Sequence, residues 1–379
     1  MKAKYFTDID KISQIPESER SKLRHVVTGH FAFRVNDYYL SLIDWDNPDD
    51  PIRKIVIPDT DEMTAWGSMD ASDEASNYVV PGCQHKYATT ALLLVNEVCG
   101  GYCRFCFRKR LFTQDSDEVS KDISQAIEYI KSKPYISNVL LTGGDPLLLS
   151  STRLESILKS LREISHVQII RIGTKLPAFD PFRIIDDPEL ASIISRYSTR
   201  QKKIYFMMHF NHPAEITEEA ALAVDILMRS GAVLANQTPI LRGVNHDPET
   251  LAELMKKLSY IGIPPYYFFQ CRPTAGNKVY AVPISETYTN LERAKSMVSG
   301  LAKRPKLVMS HATGKIEIIG LTGEHIYMRY HRARELADES RMLICQRDDN
   351  AYWLDDLREV GKQEKNHEIP HPYRSFGPE

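Results

Sequence analysis

Three cysteines constrain this chain more than any other feature. They stand in Cys99-Gly100-Gly101-Tyr102-Cys103-Arg104-Phe105-Cys106, at spacings of four and three, just after the apolar run Ala91–Val95. Three thiolates on one short loop can hold a metal centre. If that centre is a [4Fe–4S] cluster, three ligands leave one iron open for a non-protein ligand. Two other readings use the same residues. A closed zinc site needs four protein ligands, often as paired C-x2-C units. Cys83, Cys271 and Cys345 are isolated, so zinc would have to recruit a distant ligand or a histidine. The cysteines can also simply be buried. Disulfides fit poorly, because the N-terminus has no apolar secretory core and cysteines this close make strained pairs.

The bulk numbers narrow the class. The chain has 379 residues, 42% hydrophobic and 26% charged, an ordinary soluble globular balance. A net charge of −2 gives no global pull toward nucleic acid or membrane. No apolar run reaches bilayer-spanning length. Reduced thiols imply a cytoplasmic protein.

From residue 91 a strand-then-helix rhythm sets in. Strands are expected at Ala91–Val95, Asn138–Leu141, Val167–Ile172, Ile204–His209, Val233–Ala235 and Tyr266–Phe269. Helices are expected at Ile123–Ile130, Leu154–Ile164, Pro188–Tyr197, Glu218–Ser230, Pro248–Tyr260 and Ser285–Val298. Thr217 reads as an N-cap, and Gly231 and Gly262 as helix stops. Six such units argue for an α/β fold with a parallel sheet, whose strands read as continuous buried runs. The expected organisation is an N-terminal helical extension or oligomerisation cap over residues 1–90, a (β/α)6 barrel over 91–300, and a short β-containing extension with a polar tail over 301–379. In parallel barrels the chemistry lies at the C-terminal ends of strands. Gly143-Gly144-Asp145, His209 to Glu215, and Asn236-Gln237 with Arg242 all follow strands.

The cysteine spacing, with Phe105 before the last cysteine, resembles the signature of radical S-adenosylmethionine (SAM) enzymes. That resemblance implies a partial (β/α)6 barrel, a [4Fe–4S] cluster on Cys99, Cys103 and Cys106, and SAM cleaved to a 5′-deoxyadenosyl radical. Tyr38 to Asp44, Asp49 to Lys54, Gly143-Gly144-Asp145, Arg171-Ile172-Gly173, His209 to Pro213, Asn236-Gln237 and Leu241 to Asn245 together resemble the lysine 2,3-aminomutase family over about residues 30–320. The likeness implies SAM contacts from Phe105, Gly143, Gly144, Asp145, Arg171, His209, Asn236, Gln237 and Arg242. It places Arg108 on a substrate carboxylate and a pyridoxal 5′-phosphate (PLP) imine on Lys315. It also implies a small-molecule substrate and a flavodoxin- or ferredoxin-type reductant.

Departures from the family pattern bear on PLP and substrate. Gly314-Lys315-Ile316 is kept, but the glycine run before it is gone, so Lys315 also reads as a solvated turn lysine. The phosphate-binding arginines expected before the first strand read as Lys86 and Thr90. Gln270-Cys271 is followed by Arg272 where lysine-specific members carry an acid, and Ser310 stands for a second acid. An arginine repels a lysine ammonium, so Arg108 and Arg272 point to a substrate with two anionic ends. A 2,3-aminomutase of a non-lysine substrate and a PLP-free radical SAM enzyme on the same scaffold both remain open.

Overall fold

A single curled sheet positions everything else. The computed structural model describes residues 3–29, 31–112 and 117–361. Its main sheet runs β1 (Tyr78–Val80), β2 (Cys83–Tyr87), β3 (Thr90–Asn96), β4 (Asn138–Gly143), β5 (Ile169–Thr174), β6 (Ile204–Met208), β7 (Val233–Pro239), β8 (Pro265–Phe269), β9 (Lys306–His311), β10 (Gly314–Leu321), β11 (His325–Ala333) and β12 (Met342–Gln346). Each strand pairs with the next in sequence. Strands β3 to β9 are mutually parallel, and antiparallel meanders flank them on both edges. The crossovers carry α1 (Ser124–Ser132), α2 (Ser151–Arg162), α3 (Pro188–Tyr197), α4 (Glu218–Arg229), α5 (Pro248–Tyr260) and α6 (Ile284–Ser296). Strand β9, which falls in the stretch 301–379 expected as a separate extension, therefore joins the parallel set.

Local chemistry starts and stops the helices. Ser150, Asp187, Thr217 and Asp247 each accept a backbone N–H of the first turn, which satisfies a donor that the helix leaves orphaned. Gly231 and Gly262 follow α4 and α5 at φ +82° and +81°, the left-handed conformation that ends helices.

The strands are not the continuous buried runs expected. In β5, Ile170, Ile172 and Thr174 are buried while Ile169, Arg171 and Gly173 are half-buried. One face packs against helices, where Ile170 and Ile172 share a core with Leu158 and Ile194. The other face lines a lumen with polar side chains such as Asn138, Arg171 and Gln237. Curling turns that second face into an interior wall, so it alternates with the packed one.

Strands β1 and β12 do not pair, so the barrel is partial. Side chains bridge the gap instead. The Lys86 Nζ donates to the His311 carbonyl at 2.7 Å, and Arg332 of β11 reaches Thr89 and Thr90 at the start of β3. Among the described residues, no helix is long and apolar enough to cross a membrane.

The N-terminal segment packs on the barrel. Its helix Glu17–Gly29 begins after Pro16, which disfavours helical backbone at Ile15 and whose carbonyl accepts the Arg20 N–H. Ile9, Leu23, Val35, Tyr39, Ile52 and Val56 form a second core with Phe105, Phe179 and Leu241 of the barrel. The polar tail is described as far as Gly361; residues 362–379 lie outside the described residues.

Candidate functional site

The cysteine loop leaves β3 and is held from the N-terminal segment. Tyr102 N–H donates to the Arg34 carbonyl and Arg104 N–H to the Ile55 carbonyl, both at 2.8 Å. Arg34 Nε donates to the Cys99 carbonyl at 2.8 Å. The Arg104 guanidinium forms a buried two-pronged pair with Glu62 at 2.9 and 2.8 Å. Asn277, after β8, donates to the Phe105 carbonyl at 3.0 Å. Burial pushes the Cys99, Cys103 and Cys106 thiols up, Cys103 to about 12. Such thiols become anionic when a cationic centre repays the lost hydration. Among the described residues, no three Cys, His, Asp or Glu side chains converge on a single-ion site. A four-iron cluster takes its thiolates at separate corners, and three thiols on one loop are a donor set it can use.

The Gly-Gly-Asp turn packs against the same loop. Gly143 has φ +109°, and a Cβ there would lie 2.5 Å from the Asn96 carbonyl oxygen. A Cβ on Gly144 would lie 2.5 Å from the Val98 carbonyl oxygen. The glycines thus let β4 approach the chain entering the cysteine loop. The Asp145 carboxylate was expected to hold an ammonium. It instead accepts from Thr174 Oγ1 at 2.9 Å and from the N–H groups of Leu147, Lys175 and Leu176 at 3.0, 2.8 and 3.2 Å. Burial lifts it to about 6 against those donors. Its side chain organises the loop rather than offering an open acceptor.

The other expected SAM contacts divide. His209 is held neutral by burial and by nearby Lys175, and its ring stands edge-on to Phe105 at 6.0 Å. The half-buried Gln237 amide makes no protein hydrogen bond among the described residues, and it alternates with buried Asn236 and Thr238. Asn236 is consumed by the chain. It accepts from Phe210 N–H at 2.8 Å and donates to the Phe210 carbonyl and Thr238 Oγ1. Arg242 is exposed and pairs with Glu286 at 2.7 Å, outside the lumen. Arg171 lies in the lumen, donating to Asn138 Oδ1 at 2.8 Å, and its charge acts on Lys315. His212 caps its own turn, and Glu215 is taken by Lys175 and Tyr39.

Arg108 is buried, not a solvated loop residue. Its Nε and second terminal nitrogen donate to the two Glu74 oxygens at 3.0 Å each, and the remaining nitrogen donates to Thr142 Oγ1 at 2.9 Å. Arg110 also donates to Glu74, at 2.9 Å. Arg272 approaches it at 3.7 Å. The Arg272 and Arg108 guanidinium carbons lie 3.8 and 4.8 Å from the Phe107 ring centre. Burial alone would raise the Glu74 carboxyl, but Arg108, Arg272 and Arg110 hold it down at about 2. Arg272 therefore does meet a local acid, but it shares that acid with two tighter partners. Neither Glu74 nor Glu62 carries a local motif; both come from the N-terminal segment.

Lys315 is a half-buried strand residue, not a turn lysine. Its Nζ lies 4.1 Å from the Tyr267 ring centre and 5.3 Å from that of Phe269. Burial first, then the charges of Arg171, Arg332, Arg272 and Lys86, bring its amine down to about 7. An amine so placed is a nucleophile near neutral pH. The cations around it, with aromatic walls, suit an anionic ring-bearing cofactor such as PLP.

Comparison with known proteins adds an independent line. A profile of the radical SAM superfamily matches residues 93–269. A protein of Aquifex aeolicus (strain VF5), provisionally described as an L-lysine 2,3-aminomutase, is 55% identical over 366 residues, covering 96% of this chain and 98% of its own. The L-lysine 2,3-aminomutase of Acetoanaerobium sticklandii is 40% identical over 288 residues, 75% of this chain and 68% of its own. The glutamate 2,3-aminomutase of Clostridioides difficile (strain 630) is 34% identical over 302 residues, 78% of this chain and 70% of its own.

Proposed function

We propose, from the premise that the chain belongs to the radical SAM superfamily and within it to the lysine 2,3-aminomutase family, that it is a 2,3-aminomutase of a small anionic amino acid, with PLP on Lys315. As a radical SAM enzyme of this isomerase family it uses a [4Fe–4S] cluster and SAM. When bound, the cluster and SAM would supply the radical chemistry of hydrogen abstraction, and PLP would supply an aldehyde for the substrate amine.

The chain's own residues take the remaining roles. Cys99, Cys103 and Cys106 hold the cluster on a loop clamped by Arg34 and Arg104. Phe105, His209 and Gln237 face SAM, and Gly143, Gly144 and Asp145 shape the turn beside it. Lys315, with its amine at about 7, is neutral in a large fraction at neutral pH and so able to attack an aldehyde. Arg108 orients the substrate carboxylate, and Arg272 takes a second anionic group.

The observation that carries the reading is the guanidinium pair on Phe107. Arg108 and Arg272 flank one ring and share one carboxylate, Glu74, while Arg110, which also touches Glu74, is balanced by Glu118 and Asp70. That surplus of positive charge repels a lysine side chain and attracts a dianionic amino acid. The relatives include lysine and glutamate 2,3-aminomutases, so the family scaffold accommodates an acidic substrate as well as a basic one. The test is optical. Anaerobically reconstituted full-length protein loaded with PLP is expected to show a visible band that borohydride bleaches and Lys315→Ala lacks. A loaded wild-type protein without that band would overturn the assignment.

A further inference from the structure

The hairpin from β2 to β3 lacks the two arginines that would clamp a phosphate there, offering Lys86 and Thr90. The fold brings a guanidinium back to that place from more than two hundred residues away. Arg332 of β11 donates to Thr90 Oγ1 and Thr89 Oγ1, both at 3.2 Å. Its guanidinium carbon lies 4.5 Å from the Tyr87 ring centre. Arg332 is also the direct cross-strand partner of Lys315. Residues directly opposite on adjacent strands project to the same face, so guanidinium and amine share one wall of the lumen.

Charge around this point is unbalanced. Arg171, Arg332 and Lys86 all act on Lys315, and Arg332 acts on Arg171. Arg171 donates only one nitrogen, to Asn138, and Lys86 donates to a carbonyl. Among the described residues, none of the four has a carboxylate within ion-pair distance. Two guanidiniums and two amines, with Glu74 and Asp73 acting on Lys86 only from beyond contact, are costly in a half-buried lumen unless an anion joins them. The two Thr hydroxyls hold the Arg332 plane, leaving its Nε and a hydrogen on each terminal nitrogen for further acceptors. That fork suits a phosphate, which a lysine meets only as a point charge.

We propose that Arg332, acting with Lys86 and Arg171, anchors the phosphate of the PLP bound at Lys315, and so replaces the arginines that the hairpin lacks. The inference rests on the reading of Lys315 given above. It moves the phosphate clamp from the first barrel strand to the C-terminal meander, which makes β11 part of the cofactor site.

The experiment titrates full-length protein with PLP and, separately, with pyridoxal, which has the aldehyde but no phosphate. Visible absorbance reports binding. Arg332→Gln is expected to weaken PLP by about 10- to 100-fold, the loss of one charge-assisted contact, and to weaken pyridoxal far less, only through the raised Lys315 amine. Retained pyridoxal capture also shows that the variant is folded. Arg332→Lys should recover part of the affinity. Thr90→Arg added to Arg332→Gln should restore most of it by returning a guanidinium to the hairpin. Inorganic phosphate should compete with pyridoxal 5′-phosphate in the wild type and far less in Arg332→Gln. Equal PLP affinity in wild type and Arg332→Gln overturns the anchor while Lys315 keeps its role. A wild type that captures neither PLP nor pyridoxal overturns both.

Discussion

Replacing Glu74 by glutamine removes one charge and almost no volume, so it isolates the electrostatics of the Arg108–Arg110–Arg272 cluster. The carboxyl is held at about 2 against an ordinary 4.5, which corresponds to about 3 kcal/mol of native-state stabilisation. Breaking a buried pair by removing one partner costs about 3–5 kcal/mol. Arg110 keeps Glu118 at 2.6 Å, so the lower end applies and a loss of about 3 kcal/mol is expected. The sign follows from the depressed pKa. The stabilisation is fully present above about 4.5 and is lost as pH falls through about 2. Urea unfolding of both proteins should therefore show a constant gap from pH 8 to pH 5. Added dianionic amino acid should stabilise Glu74→Gln more than wild type, because Arg108 and Arg272 are then released to the ligand. A gap below about 0.5 kcal/mol would mean that solvent screens the cluster as it does a surface pair. A gap that changes between pH 8 and 5 would mean that the carboxyl is not depressed. Either result refutes the reasoning.

Other outcomes follow from the same structure. The rate of PLP capture should rise with pH through a midpoint near 7, because the neutral Lys315 amine is the reactive form; a midpoint near that of an exposed lysine would contradict it. Gly144→Ala places a Cβ 2.5 Å from the Val98 carbonyl oxygen, so it should displace the cysteine loop and lower iron and sulfide content per chain; full cluster occupancy would show that the loop tolerates the shift. Arg272→Asp should lower affinity for acidic amino acids and raise it for lysine in a binding titration, whereas no change in either would remove Arg272 from substrate selection.

What could be read from the sequence was what is local. The ends of α3 and α5 follow from Asp187-Pro188 and Asp247-Pro248, where a side-chain cap and a proline at the first helical position act within four residues. The cysteine loop declares itself by spacing. Long-range partners do not. Glu74 reaches Arg108 across 34 residues, Glu62 reaches Arg104 across 42, and Arg332 reaches Thr90 across 242. Arg242 and Asn236 carry the residue types of a binding site, but local charge and backbone partners claim them. The alternation within the strands was missed because Ile169 and Leu140 on the lumen face are as apolar as the residues that meet the helices. Strand β12 was missed because its apolar core, Met342 to Ile344, is short and sits beside a polar tail.

The source of the abstracted hydrogen decides whether this chain is an aminomutase of an anionic amino acid. Anaerobic turnover of reconstituted protein with SAM, reductant, PLP and β-deuterated glutamate is the decisive measurement. Deuterium is expected in 5′-deoxyadenosine together with an accumulating β-amino acid, and neither is expected with Cys103→Ala. Deuterium transfer from labelled lysine in place of glutamate would contradict that assignment.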